Sequence, residues 1–422
     1  MTDATDLRAP GFPRQAVAAR ARLGSVQAFP EADEYGTTLF GQHGTDSTPT
    51  ADMIDRARLV PPVFVPLRLE KLLDLGREPV AGDVDLETGI GGFRSRLPLY
   101  VSAFGSTRVA GGDLGEAVSR QAGRLGIPMV IGENIVPVSG YGRMAEEAPS
   151  TLLRRITAYA DSVPDDYGGV VVQQSTEDAD AEVWNLVYSD PSVQSLLESG
   201  RLAFELKVGQ GAKPGLGGMT LVPRDRAARL SAQYDIMNVC GPLSDAVLRC
   251  SSPGTFTDEI LRQQIRLMRN NYPRCRVWVK LPPARDVGRA AAVAWEAGAD
   301  AVAVDGAEGG TGWAPRAFLD HVGLPLAECL DRVDPQDNCL LVTGRIWEGA
   351  RAVKCLALGA TAVGIGRAAL LAADEDQSQG LVNLVDCLAL EMRLLLSGLG
   401  KYAVADLSSE DIWTDHHHTR EG

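Results

Sequence analysis

The sequence predicts an α/β protein: a (β/α)8 TIM barrel with an N-terminal extension and a C-terminal helical tail. Three observations predict it. Eight short apolar runs recur over about 270 residues, the span of one such barrel. Segments with helical spacing separate most of these runs. The runs are continuous rather than alternating, as in strands covered on both faces and paired in parallel.

Taken in order, residues 1–97 form an N-terminal arm and pre-barrel segment. The arm is polar, with a helical stretch from Arg14 to Arg22, and residues 51–97 are rich in Pro and Val. The barrel is expected over 98–380, with strands at 98–103, 128–131, 169–174, 202–208, 275–281, 301–305, 339–343 and 361–365. Helices are expected at Asp113–Leu125, Asp258–Asn270, Val287–Ala297 and Ile346–Leu358. Residues 209–258 are too long for a plain loop after the fourth strand, so they read as an inserted substrate loop. Asp235–Val239 within it is a candidate ninth strand. The remainder, 381–422, is a helix over Leu381–Leu399 and a polar tail.

Composition narrows the function. The chain has 422 residues, 45% of them hydrophobic, enough for a sizeable core. A net charge of −14 argues against nucleic acid or an anionic membrane as partner. No run approaches about 18 apolar residues, and Met1–Gln15 lacks the apolar stretch of a signal peptide, so a cytoplasmic location is expected. The seven cysteines are scattered without a C-x-x-C pair, which points to reduced thiols and to neither zinc nor an iron–sulfur cluster. Cys275, Cys339 and Cys355 lie in apolar stretches and read as core residues. Asp415-His416-His417-His418 reads as a solvated tail; no metal is expected.

Barrel ligands sit at the C-terminal strand ends. The first strand leads into Ser102-Ala103-Phe104-Gly105, the second into Gly132-Glu133, and the third ends in Gln173-Gln174. The fourth runs from Leu202 through Lys207 into Gly209-Gln210-Gly211-Ala212-Lys213-Pro214-Gly215. Such a loop brings bare backbone and ammonium groups against an anion. Only six of the 41 basic residues are lysine, and Lys207, Lys213 and Lys280 are three of them. A compact ammonium at these places does something a guanidinium fork would not. The sixth strand ends in Asp305-Gly306-Ala307-Glu308-Gly309-Gly310-Thr311-Gly312, with Glu308 readable either as an acid–base group or as a loop carboxylate pairing with an arginine. The seventh and eighth end in Thr343-Gly344-Arg345 and Gly364-Ile365-Gly366-Arg367. Glycine backbone and arginines there suit a phosphate. A phosphate at those ends with Lys280 on the fifth strand points to FMN across the barrel mouth, Lys280 meeting the N1–C2=O edge that gains negative charge on reduction.

These motifs carry a resemblance to the FMN-binding synthase domain of glutamate synthases and its single-domain relatives. Phe204–Gly218, Asp305–Gly312, Gly132-Glu133, Val279-Lys280-Leu281 and Ala357–Ala369 match the family pattern, and the likeness covers about 60–400. The resemblance implies Lys207, Gln210 and Lys213 at the substrate and flavin edge, as the catalytic set. It also implies Lys280 at the flavin. The strand ends themselves make the expected FMN site Ser102, Ala103, Phe104, Gly105, Gln173 (with Gln174 as the alternative at the ring's polar edge), Lys280, Asp305, Gly309, Gly310, Thr311, Gly344, Arg345, Gly364, Gly366 and Arg367. The substrate implied is a small molecule with a carboxylate: 2-oxoglutarate, its imine or a related amino acid.

The departures are as informative. The glutaminase domain and the clustered cysteines of the family are not found in this sequence, so no iron–sulfur cluster is expected. Met219 and Trp313, with Glu133, stand where substrate would be read, and the first two replace polar or small residues. The expected function is an FMN-dependent oxidoreductase on an amino acid, imine or oxo-acid-like substrate, suited to specialised metabolism, with a nicotinamide or flavin reductase as electron partner. One alternative is a glutamate synthase-like subunit that receives ammonia and electrons from partner proteins; another is a flavin-binding structural or regulatory subunit. The N-terminal arm would suit a homo-oligomer interface.

Overall fold

The computed structural model describes residues 12–28, 52–104, 113–132, 148–175, 182–209, 211, 220–225, 227, 231, 234–238, 245–250, 256–309, 318 and 321–414. Eight parallel strands close into a barrel: β1 Leu99–Val101, β2 Met129–Ile131, β3 Val170–Ser175, β4 Leu202–Lys207, β5 Arg276–Leu281, β6 Ala301–Asp305, β7 Leu340–Thr343 and β8 Ala362–Ile365. Each pairs with its sequence neighbours, and β8 closes on β1 through Gly364 and Tyr100. All eight expected runs are barrel strands, shifted by a residue or two at their ends.

The helices follow the apolar spacing. Asp113–Leu125 buries Leu114, Ala117, Val118, Ala122 and Leu125. Asp258–Asn271 starts where Thr257 Oγ1 accepts from the Ile260 amide, and Asp258 and Glu259 occupy its positive first turn. The helix after β7 begins at Gly349, not Ile346. Arg345 takes a left-handed backbone there (φ 57°), and Glu348 remains extended, which delays the first turn.

The candidate ninth strand stays outside the barrel. Asp235–Met237 joins Thr220–Pro223 and Ala246–Cys250 in a three-stranded antiparallel sheet, with Ala246–Cys250 in the centre. That sheet lies within the insertion between β4 and β5. Arg14–Leu23 forms the expected N-terminal helix and docks on the C-terminal helix Gly380–Gly398. Val17 and Ala21 are fully buried there, Arg20 pairs with Glu391 at 2.7 Å, and Asn383 donates to the Ala21 carbonyl.

Two apolar layers make the core. The larger lies between strands and helices. The smaller fills the barrel interior with Tyr100, Val130, Val171, Ala203, Trp278, Ala301, Ala303, Leu341 and Ala362. A hairpin, Thr88–Ile90 and Phe93–Ser95, closes the N-terminal end: Trp278 Nε1 donates to the Gly91 carbonyl at 3.0 Å, and Phe93 packs on the same indole. Among the described residues no such plug stands at the C-terminal end. Among the described residues no helix is long and apolar enough to cross a membrane.

Candidate functional site

Strand periodicity of two decides which polar residues enter the barrel. Counting up from the interior layer places Ser102, Gln173, Glu205, Lys207, Lys280, Asp305, Thr343 and Gly364 on the inner face toward the C-terminal mouth. Gln174 has the opposite parity, so of the two glutamines Gln173 faces inward. Glu205, Asp305, Gln173, Ser102, Lys280 and Thr343 are all buried, at 1–7% exposure. Such groups need partners, and most are on adjacent strands. Lys280 Nζ lies 3.1 Å from Asp305 Oδ1, and Thr343 Oγ1 donates to the same oxygen. Gln173 Nε2 donates to Glu205 Oε2. Lys207, half-buried, stands opposite Lys280 in the β4–β5 register.

Burial pushes the Glu205 carboxyl up to about 7, against the pull of Lys280, the Gln173 hydrogen bond and Lys207; Asp305 adds to the rise. Burial, with Glu205 and Asp305, also raises the Tyr100 phenol well above its ordinary value.

The β8 end is cut close. A Cβ on Gly364 would lie 2.5 Å from Thr343 Cγ2 and 2.6 Å from Tyr100 Cζ; one on Gly366 would lie 2.8 Å from Ser102 Oγ. Ser102 is fixed by its amide, which donates to the Ile365 carbonyl. Gly366 caps the helix Arg367–Glu375, which starts directly after β8 and whose first-turn amides have no partner within the helix. The Arg367 guanidinium lies 5.9 Å from the Phe12 ring, and burial lowers its pKa. Phe104, after β1, lies under the Arg155 guanidinium at 5.1 Å, with Ala103 half-buried beside it.

The structure gives Arg345 a protein partner: Nη1 lies 2.8 Å from Asp55 Oδ2, with the guanidinium over Trp347. Arg351 completes this anchor. It is 1% exposed, pairs with Asp52 and Asp55 at 2.7 and 2.6 Å, and donates from Nε to the Gly344 carbonyl. The short helix Met53–Arg56 is thereby clamped beside the β7 loop. Glu308 also belongs here. Both its oxygens accept from the Leu326 amide at the start of helix Leu326–Arg332, and it hydrogen-bonds Asp52. Glu308 is thus engaged as a loop carboxylate, with the Leu326 amide and Asp52 as its hydrogen-bond partners in place of the expected arginine. Gly309 donates from its amide to the Gly306 carbonyl.

Of the expected site residues, Gln173, Lys280 and Asp305 come together at the mouth, with Ser102, Lys207, Gly364 and Gly366 beside them. Gly105, Glu133, Gln210, Lys213, Met219, Gly310, Thr311 and Trp313 lie outside the described residues. Glu205 was absent from that set. Its signal was parity: it lies two residues before Lys207 and two after buried Ala203. Arg351 left no such signal, because its partner Asp52 is 299 residues away in sequence.

Comparison with known proteins fits this geometry. The family model described as the conserved region in glutamate synthase matches residues 139–379, more than half of the chain. An archaeal-type glutamate synthase [NADPH] of Dehalococcoides mccartyi is 35% identical over 185 residues, 42% of this chain and 36% of that protein. The archaeal glutamate synthase [NADPH] of Methanocaldococcus jannaschii is 34% identical over 179 residues, 40% of this chain and 34% of its own. A glutamate synthase large subunit-like protein of Rhizobium meliloti is 36% identical over 179 residues, 40% of this chain and 39% of its own. The chain thus spans little more than a third of the length of these relatives. Among solved structures, a soluble mutant of (S)-mandelate dehydrogenase from Pseudomonas putida superposes with TM-score 0.54 at 19% identity, covering 96% of this chain and 99% of that one. A mutant flavocytochrome b2 with pyruvate bound gives 0.54 at 19%, covering 97% and 85%. These two show a shared fold. With the family match spanning the barrel from before β3 to beyond β8, the chain belongs to the glutamate synthase family.

Proposed function

We propose that this protein is an FMN-dependent oxidoreductase of the glutamate synthase type, acting on an amino acid, imine or oxo-acid that carries a carboxylate. The observation that carries the reading is the buried mouth with two lysines, Lys207 and Lys280, in register on adjacent strand ends. FMN, when bound, supplies hydride chemistry at its N5.

The residues present fit that group. Lys280, steadied by Asp305, offers an ammonium to the flavin's N1–C2=O edge, and Gln173 offers an amide on the same side. At the β7 and β8 ends Gly344, Gly364 and Gly366 pack without side chains against Leu326, Tyr100, Thr343 and Ser102, and the start of helix Arg367–Glu375 beside them suits a phosphate. Because Arg345 is engaged by Asp55, Arg367 and the backbone carry more of that anion's charge. Ser102, Ala103, Phe104 and Gly105 would line the ring from β1, and Gly309, Gly310 and Thr311 from β6. Lys207, Gln210 and Lys213 would hold the substrate's carboxylate, with Glu133, Met219 and Trp313 shaping its far end. Met219 and Trp313 favour a substrate less polar than 2-oxoglutarate, as in specialised metabolism. A nicotinamide or a flavin reductase would serve as electron partner. A cytoplasmic location and a homo-oligomeric state belong to the same reading. The 34–36% identity to glutamate synthases supports a second reading, a subunit making glutamate from supplied ammonia and electrons.

The test is the visible spectrum of the purified protein, followed by anaerobic addition of amino acids. The expected result is a two-banded flavin spectrum, FMN released on denaturation, and bleaching by one amino-acid class. Lys207→Met should retain FMN and lose at least 100-fold in the rate of substrate-driven bleaching, about 3 kcal/mol of barrel-mouth electrostatics. A colourless protein that refuses added FMN overturns the reading. Wild-type bleaching by Lys207→Met removes the role of Lys207. Turnover only with 2-oxoglutarate and ammonia selects the second reading.

A further inference from the structure

Glu205 differs from the other buried acid of the mouth. Asp305 has an ammonium at 3.1 Å and a hydroxyl donor. Glu205 is 1% exposed, and its carboxylate accepts from a neutral amide, that of Gln173. Among the described residues no ammonium or guanidinium lies within salt-bridge distance of it. It sits opposite Trp278 and one inward-facing position below Lys207, whose register partner is Lys280. Among the described residues, the groups that face it are Gln173 from β3, Lys207 from its own strand, Trp278 and Lys280 from β5, Asp305 from β6 and Tyr100 from β1. Two cations just above favour its ionised form; burial, Asp305 and the lack of a direct counter-ion favour the protonated one.

Negative charge arriving above Lys280 changes that balance. It draws on the same ammonium that favours the Glu205 carboxylate, so the acid binds its proton more tightly. This step rests on the FMN assignment made above. We propose that Glu205 is the proton-exchanging residue of the flavin site, taking up one proton from solvent when the flavin is reduced and releasing it on reoxidation. The balance is simple. The substrate gives a hydride to the flavin, two electrons and one proton's worth of hydrogen. An O–H bond then forms at the Glu205 carboxylate with a proton from water. Reoxidation breaks that bond and returns the proton. The carboxyl thereby keeps the net charge of the mouth constant where water cannot screen it.

The experiment is the midpoint potential of the protein-bound flavin, measured with redox dyes between pH 6 and 8.5. Wild type should change its two-electron equilibrium about 100-fold per pH unit near neutrality, about 60 mV, and Glu205→Gln only about tenfold, about 30 mV. Glu205→Asp, which can still titrate, should keep the steeper slope over a displaced pH range. It also guards against a glutamine variant that fails to fold. The reduced-minus-oxidised infrared difference spectrum should show a protonated-carboxyl band in wild type and not in Glu205→Gln. A flavoprotein whose slope and infrared band are the same in wild type and Glu205→Gln overturns this proposal alone. A protein that binds no FMN overturns it together with the proposed function.

Discussion

Glu308 and Asp52 meet between the β6 loop and the Met53–Arg56 helix, and their titrations move apart because they meet. Burial pushes Glu308 up to about 7, reinforced by its hydrogen bond with Asp52. Burial works against Asp52 too, but hydrogen bonds from Arg351 and Glu308 hold its carboxyl well below the usual range. The geometry is that of one proton on Glu308, donated to Asp52, while the Leu326 amide donates to Glu308. The sign for stability follows from linkage. Between the ordinary carboxyl value of 4.5 and about 7, the folded protein holds a proton that the unfolded chain has released. Stability from this group is therefore full below that window and lost as pH rises through 7, by an amount on the order of a few kcal/mol. Urea midpoints measured at pH 5 and pH 8 should fall with pH in the wild type. Glu308→Gln, which keeps a donor for Asp52 but cannot ionise, should show a smaller fall. Equal falls in the two proteins would mean that Glu308 is ionised throughout. Glu205 titrates over the same range, so part of the slope should remain in Glu308→Gln.

At the scale of elements, two helices of the N-terminal extension make opposite bargains with water. Arg14–Leu23 buries Val17 and Ala21 against Gly380–Gly398. Pro66–Leu75 buries no residue fully: Leu67 and Leu72 are half-buried, Leu69 and Leu73 are 62% and 72% exposed, and Phe64 just before it is 86% exposed. Val17→Lys should therefore lower unfolding free energy by about 3 kcal/mol or more, since it places an ammonium in an apolar contact. Leu73→Lys should change it by no more than about 0.5 kcal/mol. A loss near 2 kcal/mol in Leu73→Lys would show that something covers this face in solution. Periodicity alone separated neither case, because it reports that a face is apolar and not what the face meets. The same limit holds along the rest of the chain. Barrel strands were legible because continuous apolar runs bounded by glycine have few other uses. The Asp235–Met237 strand was legible as a strand, but its placement depended on its antiparallel pairing with Leu248–Cys250, later in the chain, which a run of apolar residues does not encode. Lys280 and Asp305 were legible as strand-end residues. Glu205 was legible only once parity around a closed barrel was fixed, and the Arg351 clamp only from contacts remote in sequence.

For the whole molecule, the two ends of the barrel divide the labour. The C-terminal end gathers the lysines, the buried acids and the glycine-lined strand ends. The N-terminal end is stopped by the Thr88–Ser95 hairpin, where Gly91 lies under Trp278. Gly91 has φ 53°, and a Cβ there would come within 2.4 Å of Trp278 Nε1. Gly91→Ala thus meets both backbone strain and a clash with a fully buried indole that cannot swing away. The expected cost is about 2–4 kcal/mol, read as a fall in Tm of several degrees. Trp278 is also the strand partner of Glu205, so the two ends are joined by one residue's thickness of core. If the plug serves stability alone, Gly91→Ala at temperatures well below its Tm should bind FMN with the wild-type dissociation constant and show the wild-type potential. If instead the indole shift reaches Glu205, the pH slope of the potential should change while FMN affinity, proposed to be set at the β7 and β8 ends, stays the same. Loss of FMN binding by this variant below its Tm would contradict the division of the barrel into a stability end and a ligand end, because no proposed flavin contact lies within the hairpin.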